Sequence, residues 1–292
     1  MGSGRRTVRV NVPVNKETNR MLASKRVMSR DEALALDLDS RIKLEEQITD
    51  AKAPKIPIPT IPETWTFSDY SEEYPWRSYE FDFLGPLAGK SILDLGCGYH
   101  PTPIYFALAG AARVCACDVS PKAVEFMRRV ADIYGVADRV TVYESPAEKM
   151  PFATGEFDLM HGEAVLHHIS LPAAAPEIRR VLKPGGRAVF KDPLGHNPVL
   201  EFIRDHMPAV TGKSAAKGTD RPMMIEDVED FGRRFASYEY RTFGLSSMFA
   251  MLLRLQRRSL VTRTLHSVDN AVLDHVPFVK RYAQYVVACV RA

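Results

Sequence analysis

The sequence is poor in cysteine and tryptophan, carries almost no excess of either charge, and holds no long apolar run. Four cysteines in 292 residues (Cys97, Cys115, Cys117 and Cys289) are too few and too irregularly spaced for a disulfide scaffold. Cys115-Ala-Cys117 lacks the two-residue gap and the second pair that a zinc site needs, so no metal is expected. With 39 basic and 36 acidic residues the net charge is only +3, too balanced to imply a nucleic-acid partner. Nothing approaches the roughly 18 consecutive apolar residues of a membrane span, which argues against stable membrane insertion. Met1-Gly-Ser-Gly-Arg-Arg6 is followed by no apolar core and does not read as a secretory signal. A reduced, cytoplasmic setting is the expectation.

What is present is an ordinary globular balance, 46% hydrophobic and 26% charged, in a chain long enough to bury a sizeable core. Residues 1–65 read as an N-terminal arm. Thr7 to Val14 alternates apolar and polar residues, as an edge strand or extended arm would. A helix is expected from about Asp31 to Asp50, with Ser29 and Glu32 at capping-box spacing and an apolar stripe through Leu34, Leu38, Ile42 and Leu44 or Ile48. Such a helix must cover something, either its own domain or a second copy, and the arm is therefore a candidate route to a homo-oligomer. Pro54 to Pro62 has proline at near-alternating positions and reads as an extended linker.

Residues 66–292 read as one α/β domain, in which 190–280 would carry insertions. Five short apolar segments alternate with helical ones: Ser91–Leu95, Arg113–Cys117, Arg139–Tyr143, Phe157–His161 and Arg187–Phe190. That alternation implies a parallel sheet with helices on both faces. Thr211 to Thr219 reads as a surface loop, Leu245 to Leu265 as a basic helix, and Tyr285 to Val290 as a final strand.

The chemistry concentrates at Ile92-Leu-Asp-Leu-Gly-Cys-Gly98, a buried strand ending in a turn whose two glycines let backbone amides approach a ligand. Asp118 ends the next strand, where a carboxylate can take both hydroxyls of a ribose. Its alternative role is to cap the helix starting near Pro121. Ser145-Pro-Ala-Glu-Lys-Met-Pro-Phe152, Phe157-Asp-Leu-Met-His161 and Leu182-Lys-Pro-Gly-Gly186 follow in order. In that order and spacing the segments resemble the class I S-adenosylmethionine-dependent methyltransferases, particularly the group acting on small molecules. The resemblance is strongest from Phe81 to Phe190.

The resemblance implies a Rossmann-like, seven-stranded, mostly parallel sheet with an antiparallel last strand, and S-adenosyl-L-methionine as cofactor. It implies that Asp94, Gly96, Cys97 and Gly98 hold the methionine end, Asp118 and Val119 the ribose, and Ala147 and Glu148 the adenine. Glu163 is a further candidate, for the cofactor amine. The sequence departs from the family at His100, where a third glycine is usual, and at Pro146, where an acidic residue is common. Methyl transfer needs alignment more than a nucleophile. His167 and His168 are the candidates for a general base if the acceptor must lose a proton. Tyr70, Tyr74, Trp76, Tyr79, Phe81 and Phe83 are expected either to fold over the cofactor or to pack as core. The implied acceptor is a small, partly apolar metabolite. The alternatives are a cofactor-binding fold that performs no methyl transfer and, further off, a nucleic-acid or protein methyltransferase.

Overall fold

The computed structural model describes residues 37–53, 56–206, 222–247 and 259–292. The arm strand Thr7–Val14, the Ser29/Glu32 cap, the 211–219 loop and the basic run 253–258 lie outside the described residues. At the centre is a seven-stranded sheet in the order β3-β2-β1-β4-β5-β7-β6. Its strands are β1 (Ser91–Leu95), β2 (Arg113–Asp118), β3 (Val140–Glu144), β4 (Phe157–Glu163), β5 (Leu182–Pro193), β6 (Ser237–Phe243) and β7 (Tyr285–Arg291). Strands β1 to β5 are parallel, and β7 runs antiparallel between β5 and β6. This is the expected Rossmann-like arrangement with its antiparallel last strand. The apolar runs follow from burial: Ile92, Leu93, Leu95 and Val114 to Cys117 are covered on both sheet faces.

The arm supplies α1 (Leu38–Asp50), which opens on Asp37, whose side chain accepts from the Ser40 N–H. Two short helices follow, α2 (Phe67–Ser71) and α3 (Pro75–Leu84), then α4 (Thr102–Leu108) and α5 (Pro121–Ile133). Ser120 caps α5 by accepting from the Ala123 N–H at 3.0 Å, and Pro121 supplies the preset first turn. Ala123, Val124, Met127, Val130 and Ala131 form the buried stripe of α5, which packs on β2 and β3. The remaining α-helices among the described residues are α6 (Leu171–Val181), α7 (Pro198–His206), α8 (Ile225–Gly232) and α9 (Leu260–His275).

Two expectations shift. Of the helix placed at 245–265, residues 248–258 lie outside the described residues; Leu245 to Ser247 are not helical, and a helix runs from Leu260 past the expected end to His275, capped by Ser259, which accepts from the Thr262 N–H. Leu245 to Ser247 form a turn whose N–H groups all donate to the Asp269 carboxylate. The proline segment is also no free spacer: the Tyr134 hydroxyl donates to Pro59 O at 2.6 Å and accepts from the Ile61 N–H at 2.8 Å. Those bonds lay the arm along α5, and α1 packs against the same helix. Within the chain, the arm helix therefore covers its own domain.

Candidate cofactor-binding site

A cavity of about 440 Å³ opens at the carboxyl ends of β1, β2 and β4, where an open α/β sheet presents its loops to a ligand. Its floor is the turn after β1. Gly96 and Gly98 have φ of +67° and +49°, a backbone that side chains resist. A Cβ on Gly96 would lie 2.5 Å from Val165 Cγ2, so the turn and the loop after β4 touch only because that side chain is missing. At Gly98 nothing lies within 4 Å, and the backbone stands open to the cavity.

Asp118 ends β2 in the cavity wall, its Oδ2 accepting from the Gly98 N–H (2.8 Å) and its Oδ1 from the Ser120 N–H (2.9 Å). The cap of α5 belongs to Ser120, which removes the capping alternative for Asp118. Burial pushes the Asp118 carboxyl up to about 6 against those two bonds. Val119, Ala147 and Glu148 continue the wall. Glu148 Oε1 accepts from the Ser170 N–H at 2.8 Å, which ties this segment to the start of α6.

At the opposite end stand Glu163 and His100. Lys191 Nζ donates to Glu163 Oε1 at 2.6 Å, and Arg77 lies 3.8 Å from Glu163 Oε2. Burial would raise this carboxyl, but Lys191, His100 and Arg77 hold it at about 2, so it stays ionised. The next residue, Ala164, adopts φ +56°, a strained left-handed turn fixed by its N–H donating to Lys191 O at 2.7 Å. That turn bends the chain from Glu163 round to His168 along the cavity.

The roof comes from the arm. Arg41, Ile42, Glu45 and Thr49 of α1 line the cavity, with Lys52 and Ile56 beyond them. Glu45 Oε1 is 2.7 Å from His168 Nδ1, the Tyr99 hydroxyl donates to Thr49 O, and the Ser120 hydroxyl donates to Asp50 Oδ1 at 2.5 Å. The amphipathic stripe through Ile42 was the sequence signal for a covering helix; its target could not be read from the sequence.

Two candidates sit elsewhere. Asp94 does not line the cavity: its Oδ1 accepts from His161 Nδ1 at 2.8 Å inside the core. His167 is likewise turned away, with Nδ1 2.6 Å from Asp192 Oδ1, while its ring lies against that of His168, centroids 3.9 Å apart and planes tilted by 40°. None of the aromatic residues from Tyr70 to Phe83 lines the cavity; Tyr70, Trp76 and Phe81 are buried core, and α3 packs on β5 and β7.

Beneath the cavity lies a buried group of charges that sequence reasoning missed. Glu80 Oε1 and His161 Nε2 have no hydrogen-bond partner among the described residues. Burial pushes Glu80 up to about 7 from its ordinary 4.5, His161 being the chief opposing charge. The pKa is higher folded than unfolded, so ionising Glu80 costs stability: nothing below about pH 4.5, increasing to about 3 kcal/mol above pH 7. Glu80→Gln is therefore expected to raise the Tm near pH 8 and leave it unchanged near pH 4.5. Thermal melts at the two pH values check this, and an equal shift at both would contradict it.

The sheet order and a glycine turn facing a β2 carboxylate define an α/β protein that binds a nucleoside-containing cofactor at its switch point. Residues 93–190 match the family model described as a methyltransferase domain. The chain is 32% identical over 168 residues to the sarcosine/dimethylglycine N-methyltransferase of Aphanothece halophytica, covering 57% of this chain and 60% of that one. It is 29% identical over 196 residues to the ubiquinone/menaquinone biosynthesis C-methyltransferase of Paracoccus denitrificans, covering 63% and 75% respectively. The chain thus spans about three fifths of the sarcosine relative and three quarters of the quinone one. Geranyl diphosphate C-methyltransferase from Streptomyces coelicolor shares the fold, with a TM-score of 0.55 at 14% identity, covering 86% of this chain and 97% of that one. The chain is similar to the class I S-adenosylmethionine-dependent methyltransferases, whose cofactor is S-adenosylmethionine, with the methyltransferase-domain match lying in residues 93–190. The residues present fit that cofactor: an ionisable acid at β2, open backbone at Gly98, and an ionised carboxylate at the far end.

Proposed function

We propose that this chain transfers a methyl group from S-adenosylmethionine to a small, partly apolar metabolite, on oxygen, carbon or nitrogen, by in-line displacement. The observation that carries the reading is that the two-glycine turn, Asp118 and Glu163 all open onto one and the same cavity. Names of relatives support the size of the acceptor: a sarcosine, a quinone-pathway and a geranyl diphosphate enzyme all act on small molecules.

The cofactor supplies an electrophilic methyl on a sulfonium, and the protein has to bind, align and exclude water. Asp118 takes the ribose hydroxyls, the Ala147–Glu148 segment meets the adenine, and Glu163 takes the amine. The α1 roof shields the cavity from solvent. Where the acceptor must lose a proton, His168 is the candidate base, because it lines the cavity while His167 is bound to Asp192. His167 then acts by holding the ring of His168. Among the described residues no helix is long and apolar enough to cross a membrane.

The test is transfer of labelled methyl from S-adenosylmethionine into pooled metabolites, with RNA and protein as rival acceptors. Label is expected in the low-mass, partly apolar fraction. Label in polymer, or none from a chain that binds the cofactor, overturns the reading. For a hydroxyl acceptor, His168→Gln is expected to lower kcat by about a hundredfold and to remove the low-pH fall of the rate profile. An unchanged profile would assign His168 to the pocket wall alone.

A further inference from the structure

His100 stands where the family usually has its third glycine, and its side chain enters the cavity wall beside Glu163. The ring is deep among protein atoms yet accessible, because it faces the cavity. Its Nδ1 lies 2.8 Å from Thr102 Oγ1, and that oxygen lies 3.1 Å from the Tyr70 hydroxyl. Tyr70 is buried, and burial raises its pKa well above the ordinary value, so the phenol keeps its proton. Among the described residues the phenol reaches no acceptor besides Thr102 Oγ1. The Tyr70 hydroxyl therefore donates to Thr102, and the Thr102 hydroxyl donates to His100 Nδ1. This relay fixes the tautomer: the ring proton sits on Nε2. Burial also lowers the imidazole pKa, which keeps the ring neutral at physiological pH.

We propose that His100 Nε2–H donates to the carboxylate at the methionine end of the cofactor, while Glu163 takes the ammonium group, so that the two side chains together read the amino-acid zwitterion. The inference rests on the methyltransferase reading, which places adenosine at Asp118 and the amino-acid end opposite. A neutral Nε2–H can only donate, so it suits the carboxylate and cannot pair with the ammonium. Glu163, ionised and accepting only, has the complementary preference. Tyr70 and Thr102 are then positioning residues, which act by fixing the tautomer.

The test is a two-by-two titration calorimetry cycle on the full chain. One axis is wild type against His100→Gly; the other is S-adenosylhomocysteine against S-adenosyl-3-thiopropylamine, which keeps the amine and lacks only the carboxylate. In wild type, loss of the carboxylate is expected to weaken binding roughly ten- to a hundredfold. In His100→Gly, S-adenosylhomocysteine should weaken by a similar factor and the two ligands should bind alike. His100→Gln, which restores an N–H donor, should recover most of the discrimination. Melting curves of the variants confirm that each is folded. Equal discrimination in wild type and His100→Gly would overturn the proposal. Failure of wild type to bind either ligand would instead refute the methyltransferase reading itself, and this inference with it.

Discussion

Replacing Asp118 by alanine is expected to weaken S-adenosylmethionine binding by about a hundredfold or more while changing stability little. The affinity loss is expected because, in the proposed binding mode, the carboxylate makes two charge-assisted bonds to the ribose hydroxyls, each of which contributes strongly in a buried site. Stability is spared for an opposing pair of reasons. The variant loses the bonds from the Gly98 and Ser120 N–H groups, but it also removes a carboxyl that burial has pushed up to about 6. Since that pKa is raised on folding, the ionised form opposes folding above pH 6, and alanine removes that cost. The cap of α5 survives, because Ser120 supplies it. The same pKa predicts that wild-type affinity falls as pH drops below about 6, when the carboxylate takes up a proton, and that the variant shows no such fall. Calorimetry across pH 5 to 8 with parallel thermal melts checks both. An affinity within about threefold of wild type would restrict Asp118 to shaping the turn.

Gly96→Ala is expected to do the reverse and act first on the fold. The added methyl would stand 2.5 Å from Val165 Cγ2 and 3.0 Å from Val165 Cβ, at a φ of +67°. Left-handed backbone and overpacking together cost roughly 2–4 kcal/mol, a Tm fall of about 5–15 °C in a domain this size. Val165 belongs to the cavity lining, so relief of the clash moves the wall as well. Gly98→Ala makes the contrast. With nothing within 4 Å of its Cβ, it should cost only about 1–2 kcal/mol and place a methyl where the ligand lies. Equal melting temperatures for the two variants would show that Val165 yields without cost.

The contrast also explains what the sequence made legible. Strands β1 to β5 could be read because a parallel sheet covered on both faces demands unbroken apolar runs such as Val114 to Cys117. The glycine turn, Asp118, Glu148 and Glu163 could be read from their order along the chain, and all of them line one cavity. Asp94 illustrates the limit of order alone. Its position beside the glycines suggested a ligand contact, and only the register of β1 against β4, which sets Asp94 beside His161, shows where the carboxylate goes. The two histidines after β4 were equivalent in sequence; the 3₁₀ turn Leu166–His168 separates them, one toward Asp192 and one toward the cavity. The α1 roof depends on contacts between residues some seventy positions apart, such as Asp50 with Ser120, which no local pattern encodes. His100 registered only as a departure from the family; the hydroxyl relay through Thr102 gives it a direction.

Amide hydrogen exchange with and without S-adenosylhomocysteine tests most directly whether the cofactor lies between the two-glycine turn and the arm helix. Binding is expected to slow exchange in three stretches together: residues 96–100, residues 118–120, and α1 from Leu38 to Asp50, whose Thr49 and Asp50 bonds fasten the roof. Protection elsewhere in the chain, or protection of the glycine turn with α1 unchanged, would contradict the account.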